Sequence, residues 1–208
     1  MRIVAISDIH SKEAWLNLPS GDTLIIAGDI SIESENDIYY FKRWLHKQNF
    51  SEIIIVAGNH DIALERMNKH LIKDAFLPFH YLQEDFLELK GLRFYGVPYS
   101  PEFNNWSFMY PRCSLEAKNI WQKIPKNLDF LISHTMPYQI LDTNYKNEHC
   151  GCEVLQREVF KKRPKHFIGG HLHQEGGTTK IIDEIKFHNV SILDEEYKLT
   201  HKPTIINI

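Results

Sequence analysis

Nine side chains able to bind a metal or move a proton each stand just after a short apolar run in this chain. The runs read RIVAIS before Asp8-Ile9-His10, TLIIAG before Asp29, EIIIVAG before Asn59-His60-Asp61, DFLIS before His134, and HFIGG before His171-Leu172-His173. In Asp8-Ile9-His10 and His171-Leu172-His173 a spacing of two puts both polar side chains on one face of an extended segment. A carboxylate beside an imidazole suits Mn, Fe or Zn. Gly28 permits a sharp turn, and a carboxylate such as Asp29 has two oxygens with which to bridge ions roughly 3.5–4 Å apart. Asn59 offers a ligand oxygen without adding negative charge where an anionic substrate must arrive. His60 is placed to act on that substrate, and Asp61 could orient its imidazole. Together these groups are the inventory of a two-metal site. Two such ions can lower the pKa of a shared water towards about 7 and neutralise charge during in-line attack on phosphorus. The departing alkoxide needs a proton, and His60 is the nearest candidate.

Taken singly, each motif has a plainer reading. D-x-H can be a surface pair at a strand end, a lone G-D a turn or helix cap, and H-x-H a generic metal signal. Their weight comes from company.

The elements that must position them follow from the same runs. Apolar stretches rich in Ile, Val, Leu and Phe read as buried strands of an α/β sheet, and ligands of such sheets sit at the strands' carboxyl ends. All five motifs are thus expected at one edge of one sheet. Helices are expected over about 34–47 (Ile38, Phe41 and Leu45 inward, Ser34 and Asp37 in capping-box-like positions), 62–73 (Leu64, Met67 and Leu71 on one face), 114–123 and 153–162. Lys90-Gly91 between two alternating runs predicts a hairpin. Further short strands are expected near 180–182, 185–190 and 204–207.

At 208 residues with 43% hydrophobic and 25% charged content, one globular domain over 1–208 is expected. A formal net charge of −3 gives no case for a nucleic-acid polymer as partner. No apolar stretch approaches the ~20 residues of a membrane span, and Met1-Arg2 leads straight into a strand, so a cytoplasmic protein is expected. Three cysteines argue against a disulfide framework, with Cys152 expected to pack at a helix start. His46, His70, His80, His149, His166, His188 and His201 are assigned surface or core roles by default.

D-x-H, G-D, G-N-H-D, S-H and G-H-x-H, in this order, resemble the calcineurin-like metallophosphoesterases. The resemblance implies a four-layer α/β/β/α sandwich of two mixed β-sheets flanked by helices, with a dinuclear metal site at the strand ends. It implies Asp8, His10 and His173 on one ion, Asn59, His134 and His171 on the other, Asp29 bridging, and His60 as a non-ligand histidine at the phosphate. The two ions are expected to be divalent, manganese foremost, with Fe, Zn, Ni or Co as alternatives. Many members carry an Asp three residues after the bridging Asp, where it pairs with the catalytic histidine. Here that position is Ile32, which leaves Asp61 or another group to support His60. The segment from Tyr95 through Trp106 to Arg112, and Gly151-Cys152-Glu153-x-Leu155, are similar to a small metallophosphoesterase-domain-containing group. That likeness implies a phosphodiesterase of low specificity, with cyclic nucleotides among the substrates.

The loop of Tyr99, Phe103, Trp106, Phe108 and Tyr110 admits two readings: rings that pack the core, or a ring that stacks on a base. On the second reading Asn104, Trp106 and Arg112 bind substrate, Arg112 at a phosphate oxygen. The expected partner is a small phosphoester, a nucleotide-like diester before a phosphomonoester or phosphoprotein. A noncatalytic scaffold would show gaps among the ligands, and there are none.

Overall fold

The computed structural model describes residues 1–208. Its strands are β1 (Arg2–Ile6), β2 (Thr23–Ala27), β3 (Glu52–Val56), β4 (His80–Tyr81), β5 (Asp85–Leu89), β6 (Leu92–Val97), β7 (Ser100–Pro101), β8 (Met109–Tyr110), β9 (Phe130–Ser133), β10 (His166–Gly169), β11 (Thr178–Ile182), β12 (Ile185–Asn189) and β13 (Thr204–Asn207). The helices are α1 (Glu35–Leu45), α2 (Ile62–Arg66), α3 (Lys69–Phe76), α4 (Leu115–Gln122) and α5 (Glu153–Lys162). None is long and apolar enough to cross a membrane.

The strands form two large mixed sheets, ordered β13-β1-β2-β3-β4 and β11-β12-β10-β9-β6-β5, and a small β7-β8 pair. Parallel strands occupy the middle of each large sheet, and antiparallel partners close β1, β12 and β6 at the edges. Alternation along each strand explains why the runs are apolar throughout. Ile3, Ala5, Ile25, Ile54 and Val56 point inward to meet Phe94, Phe130, Ile132 and Ile168 of the other sheet. Val4, Ile6, Leu24, Ile26, Ile53 and Ile55 point outward and are covered by Ile38, Phe41 and Leu45 of α1 and Ile72 and Phe76 of α3. On the far side, Tyr95, Leu131, Phe167 and Phe187 pack under Trp121 of α4 and Leu155 and Val159 of α5. The central strands of both sheets are buried on both faces, which gives the α/β/β/α layering.

Two expectations change. The site motifs do not lie on one sheet: β1, β2 and β3 belong to the first and β9 and β10 to the second. The two are joined at the site end, where Ser7 N–H donates to Val190 O (2.9 Å) and Ile192 N–H to Ser7 O (3.2 Å). The helix expected over 62–73 is broken. Met67 is extended, and Asn68 restarts the chain by accepting His70 N–H at 2.9 Å, an N-cap. The break shifts the phase, so Leu71 is 60% exposed while Ile72 and Phe76 are buried.

Elsewhere local signals act as expected. Asp37 Oδ2 accepts Ser34 N–H (2.8 Å) at the start of α1. Lys90 and Gly91 both have positive φ (52° and 77°), the requirement of a two-residue hairpin turn. Cys152 is buried and caps α5, accepting Leu155 N–H at 3.3 Å.

Candidate metal centre

Each expected ligand stands within four residues of a strand's carboxyl end: Asp8 and His10 after β1, Asp29 after β2, Asn59 after β3, His134 after β9, His171 and His173 after β10. To leave the sheet while aiming a side chain into the gap between sheets, the backbone turns left-handed. Asp8 (φ 56°), His10 (45°), Asp29 (53°) and His171 (70°) all do so, although none is glycine. Such conformations are uncommon in L-residues and cluster at functional sites. Backbone bonds hold the turns: Asp8 N–H donates to Gly28 O (3.0 Å), His10 N–H to Asp29 O (3.0 Å), and Gly170 N–H to His134 O (2.9 Å).

The side chains converge in three groups: Asp8, His10 and His173; Asp29, His134 and His171; His10, Asp29 and His60. Within each, the candidate ligand atoms lie within 4.8 Å of one another. His134 Nε2 stands 3.3 Å from Asp29 Oδ1, His173 Nε2 3.5 Å from Asp8 Oδ1, and His10 Nε2 3.7 Å from Asp29 Oδ2. Two of these are long for a hydrogen bond. They approximate the spacing of ligand atoms on one ion: at bonds of about 2.1 Å and angles of 90–109°, neighbours are roughly 3.0–3.4 Å apart.

The other ring nitrogens say the same. His134 Nδ1 is 3.0 Å from Ala27 O and His173 Nδ1 is 2.9 Å from Asp194 O. A carbonyl only accepts, so each Nδ1 carries hydrogen and each Nε2 of the neutral ring is a lone pair. That lone pair on His134 faces Asp29 Oδ1 and, at 3.0 Å, Asn59 Oδ1. Lone pairs gathered this way require a proton or a cation between them. His10 Nε2 is buried with no hydrogen-bond partner at all. Two carboxylates, four imidazoles and an amide oxygen fit a divalent transition-metal ion, and the backbone carbonyls behind two of the imidazoles supply the orienting contacts that metal-binding histidines need.

Without an ion, protons do part of that work. Burial opposes ionisation of Asp8 and Asp29, yet facing imidazoles outweigh it and both stay well below the usual carboxylate range. Burial also acts against protonating His134 and His173, but Asp29 and Asp8 beside them raise each to about 9. His10 and His171 go the other way, to about 4 and about 3, chiefly through burial.

The profile of the calcineurin-like phosphoesterase family matches residues 1–175. The chain belongs to that family. Metallophosphoesterase domain-containing protein 1 of Homo sapiens is 29% identical over 232 residues, covering 100% of this chain and 71% of its own length. A UPF0046 protein of Caenorhabditis elegans is 29% identical over 239 residues; the chain spans all of itself but only 60% of that relative. Among solved structures, the fold is similar to phosphopantetheinyl hydrolase of Mycobacterium tuberculosis (TM-score 0.63, 17% identity, 94% and 90% of the two chains). It is likewise similar to protein TT1561 of Thermus thermophilus (TM-score 0.62, 18% identity, 99% and 98%). The chain is therefore a member of a hydrolase family that uses divalent metals, and the converging side chains are candidates to hold them.

Beside these candidate ligands, His60 is held by packing. Its ring lies edge-on to His10 (4.8 Å between centroids) and against Trp106 (4.2 Å), while its backbone N–H donates to Asp29 Oδ1 at 2.8 Å. The expectation that Asp61 orients this imidazole is corrected: no hydrogen bond joins them. Asp61 is fully buried and accepts N–H from Ile30 (3.0 Å), Ile32 (3.0 Å) and Gly58 (2.7 Å), so it fixes the loops after β2 and β3 against each other. Burial and then the Asp29 charge raise its pKa to about 7. Ile32, where many members have Asp, is buried in the core.

A cavity of about 1000 Å³ opens over the ligands. The aromatic loop divides as its two readings allowed: Phe108 and Tyr110 are core, while Phe103 (55% exposed) and Trp106 (39%) line the cavity with Asn104. Arg112 also lines it, but not as a free guanidinium. It donates to Cys150 O (3.1 Å), Gly151 O and Glu153 Oε1 (3.1 Å), which corrects its expected place at a phosphate oxygen. Sequence reasoning missed the opposite wall: Tyr197, whose ring meets His10 (4.8 Å) and His173 (5.3 Å), and Tyr145, Lys146 and His149. No pattern near 145 or 197 marks them; only tertiary placement brings them here.

Proposed function

We propose that this phosphoesterase holds two divalent ions, manganese foremost, and hydrolyses small nucleotide-like diesters, cyclic nucleotides among them. The observation that carries the dinuclear reading is Asp29. Its Oδ1 faces His134 at 3.3 Å and its Oδ2 faces His10 at 3.7 Å, so one carboxylate addresses two ligand groups at once. Asp8, His10 and His173 make one set, and Asn59, His134 and His171 the other. When bound, the ions supply activation of water and neutralisation of charge on the phosphate. The protein's own residues do the rest. His60, lacking a carboxylate partner and packed between His10 and Trp106, is the proton donor nearest the centre. Phe103, Trp106, Tyr145 and Tyr197 offer exposed ring faces to a base or aryl group.

The wall chemistry favours a diester over a monoester. A free bidentate guanidinium would strengthen the hold on a phosphomonoester dianion, and the cavity's one arginine is engaged with Glu153 and two carbonyls. A diester carries a single charge and two organic groups, which aromatic walls suit better. Protein purified without chelator should contain about two transition-metal ions per chain. With Mn, it should turn over bis(p-nitrophenyl) phosphate faster than p-nitrophenyl phosphate. A faster monoester would overturn the diesterase reading, and one ion per chain the bridging role of Asp29.

A further inference from the structure

Part of the cavity wall is a hairpin, and it carries an imidazole with a buried carboxylate behind it. His149 Nδ1 stands 2.6 Å from Asp142 Oδ1, and Asp142 is fully buried. The remaining oxygen of Asp142 accepts N–H from Gln139 (2.9 Å) and Gly151 (2.9 Å), so the carboxylate cannot swing. An anchored carboxylate fixes the hydrogen on Nδ1 and thereby the tautomer. With Nδ1 engaged by Asp142, His149 lines the cavity together with the candidate metal ligands. The side chain is 39% exposed, and its only ring-nitrogen partner is Asp142, at Nδ1.

A plainer role would be to staple the hairpin, but that work is done without the ring. Asn144 N–H donates to Glu148 O (3.1 Å), Cys150 N–H to Asp142 O (2.9 Å), and Asn144 Oδ1 accepts N–H from Lys146 and Glu148 (2.9 and 3.0 Å). Arg112 grips the carbonyls of Cys150 and Gly151 at its base. His60 presents the contrast: it adjoins the candidate ligands but its ring is hydrogen-bonded to no carboxylate, whereas the ring of His149 is.

We infer that His149, with its tautomer fixed by Asp142, is a substrate-recognition residue whose Nε2 accepts a hydrogen bond from a hydroxyl or N–H of the nucleoside portion of the diester. This rests on the phosphodiesterase reading above, and it names what the hairpin wall selects. The test compares two esters with the same leaving group: bis(p-nitrophenyl) phosphate, which has no hydrogen-bond donor, and the p-nitrophenyl ester of thymidine 5′-monophosphate, which has a 3′-hydroxyl and a ring N–H. His149→Asn is the variant, because its amide N–H can still donate to Asp142 while the far nitrogen is lost; an unchanged thermal midpoint confirms the fold. The expected result is an unaltered kcat/KM on the first ester and a loss of about tenfold on the second, carried by KM, the size of one hydrogen bond. Calorimetric affinity for thymidine 5′-monophosphate should fall by a similar factor. Equal losses on both esters, or no loss on the nucleotide ester, would overturn the assignment. If the wild type cleaves neither ester, the diesterase reading fails by itself. The nucleotide affinity then still decides on His149, and an unchanged value in the variant sinks it.

Discussion

Loading this site with metal should expel protons, and their number follows from the charges already there. In the metal-free protein Asp8 and Asp29 are ionised well into the acid range, His10 and His171 are neutral above about pH 4 and about 3, and His134 and His173 hold protons up to about 9. A metal ligand must present a lone pair, so at pH 7 only His134 and His173 have to give up a proton. Full loading therefore releases about two protons per chain, and the logarithm of the overall metal affinity climbs by about two per pH unit, or ~2.7 kcal/mol. The climb ends above about pH 9, where both imidazoles are already neutral. The same pair sets the stability of the metal-free protein. A histidine raised from 6.5 to about 9 contributes stability that is complete below pH 6.5 and lost as the pH passes about 9. Stripped protein should therefore melt lower at pH 9.5 than at pH 6.5. The assay is calorimetric titration of stripped protein with Mn in buffers of different ionisation enthalpy, whose slope counts protons directly. A count near zero at pH 7, with binding intact, would show that no carboxylate–imidazolium pair stands in for the ions and would refute the charge assignment.

Three substitutions probe the parts separately. His60→Gln should keep its ions by elemental analysis and lower kcat by about 10²–10⁴-fold; an undiminished kcat removes it as proton donor. Gly170→Ala would put a Cβ against Ser7 Oγ and Asp8 Oδ2, so metal affinity should drop while secondary structure survives; unchanged Mn affinity would show that Asp8 is not a ligand. Asp61→Ala leaves the N–H groups of Ile30, Ile32 and Gly58 without their acceptor. Denaturant unfolding should register a loss of at least about 3 kcal/mol, and a loss under about 1 kcal/mol would mean that water replaces the carboxylate.

The convergence of candidate ligands was legible because a metal site demands particular residue types at positions that strand geometry already marks. An apolar run ending in Asp, His or Asn states both facts in a few neighbouring residues, and α5 and β13 ran as the local pattern predicted for the same reason. Sheet membership is a different kind of information. FLIS of β9 and TLIIA of β2 are both buried on two faces, and nothing within either run says which neighbour it pairs with. That is settled by crossovers many residues long, so five motifs that looked like one edge proved to be two edges facing each other. The broken helix after Asp61 shows a local signal outvoted on paper. Leu64, Met67 and Leu71 keep a helical period through Asn68, yet the capping amide stops the first helix and restarts the second, leaving Leu71 in solvent. The cavity wall was least legible of all. A surface that recognises an organic group needs rings and donors at the right distance but no fixed spacing in sequence. Tyr145, His149 and Tyr197 line one cavity with the candidate ligands only because the hairpin after β9 and the segment before β13 fold over the same opening. The chemistry of this family member is therefore written at its strand ends, and its selectivity in loops whose meaning exists only once the two sheets have closed.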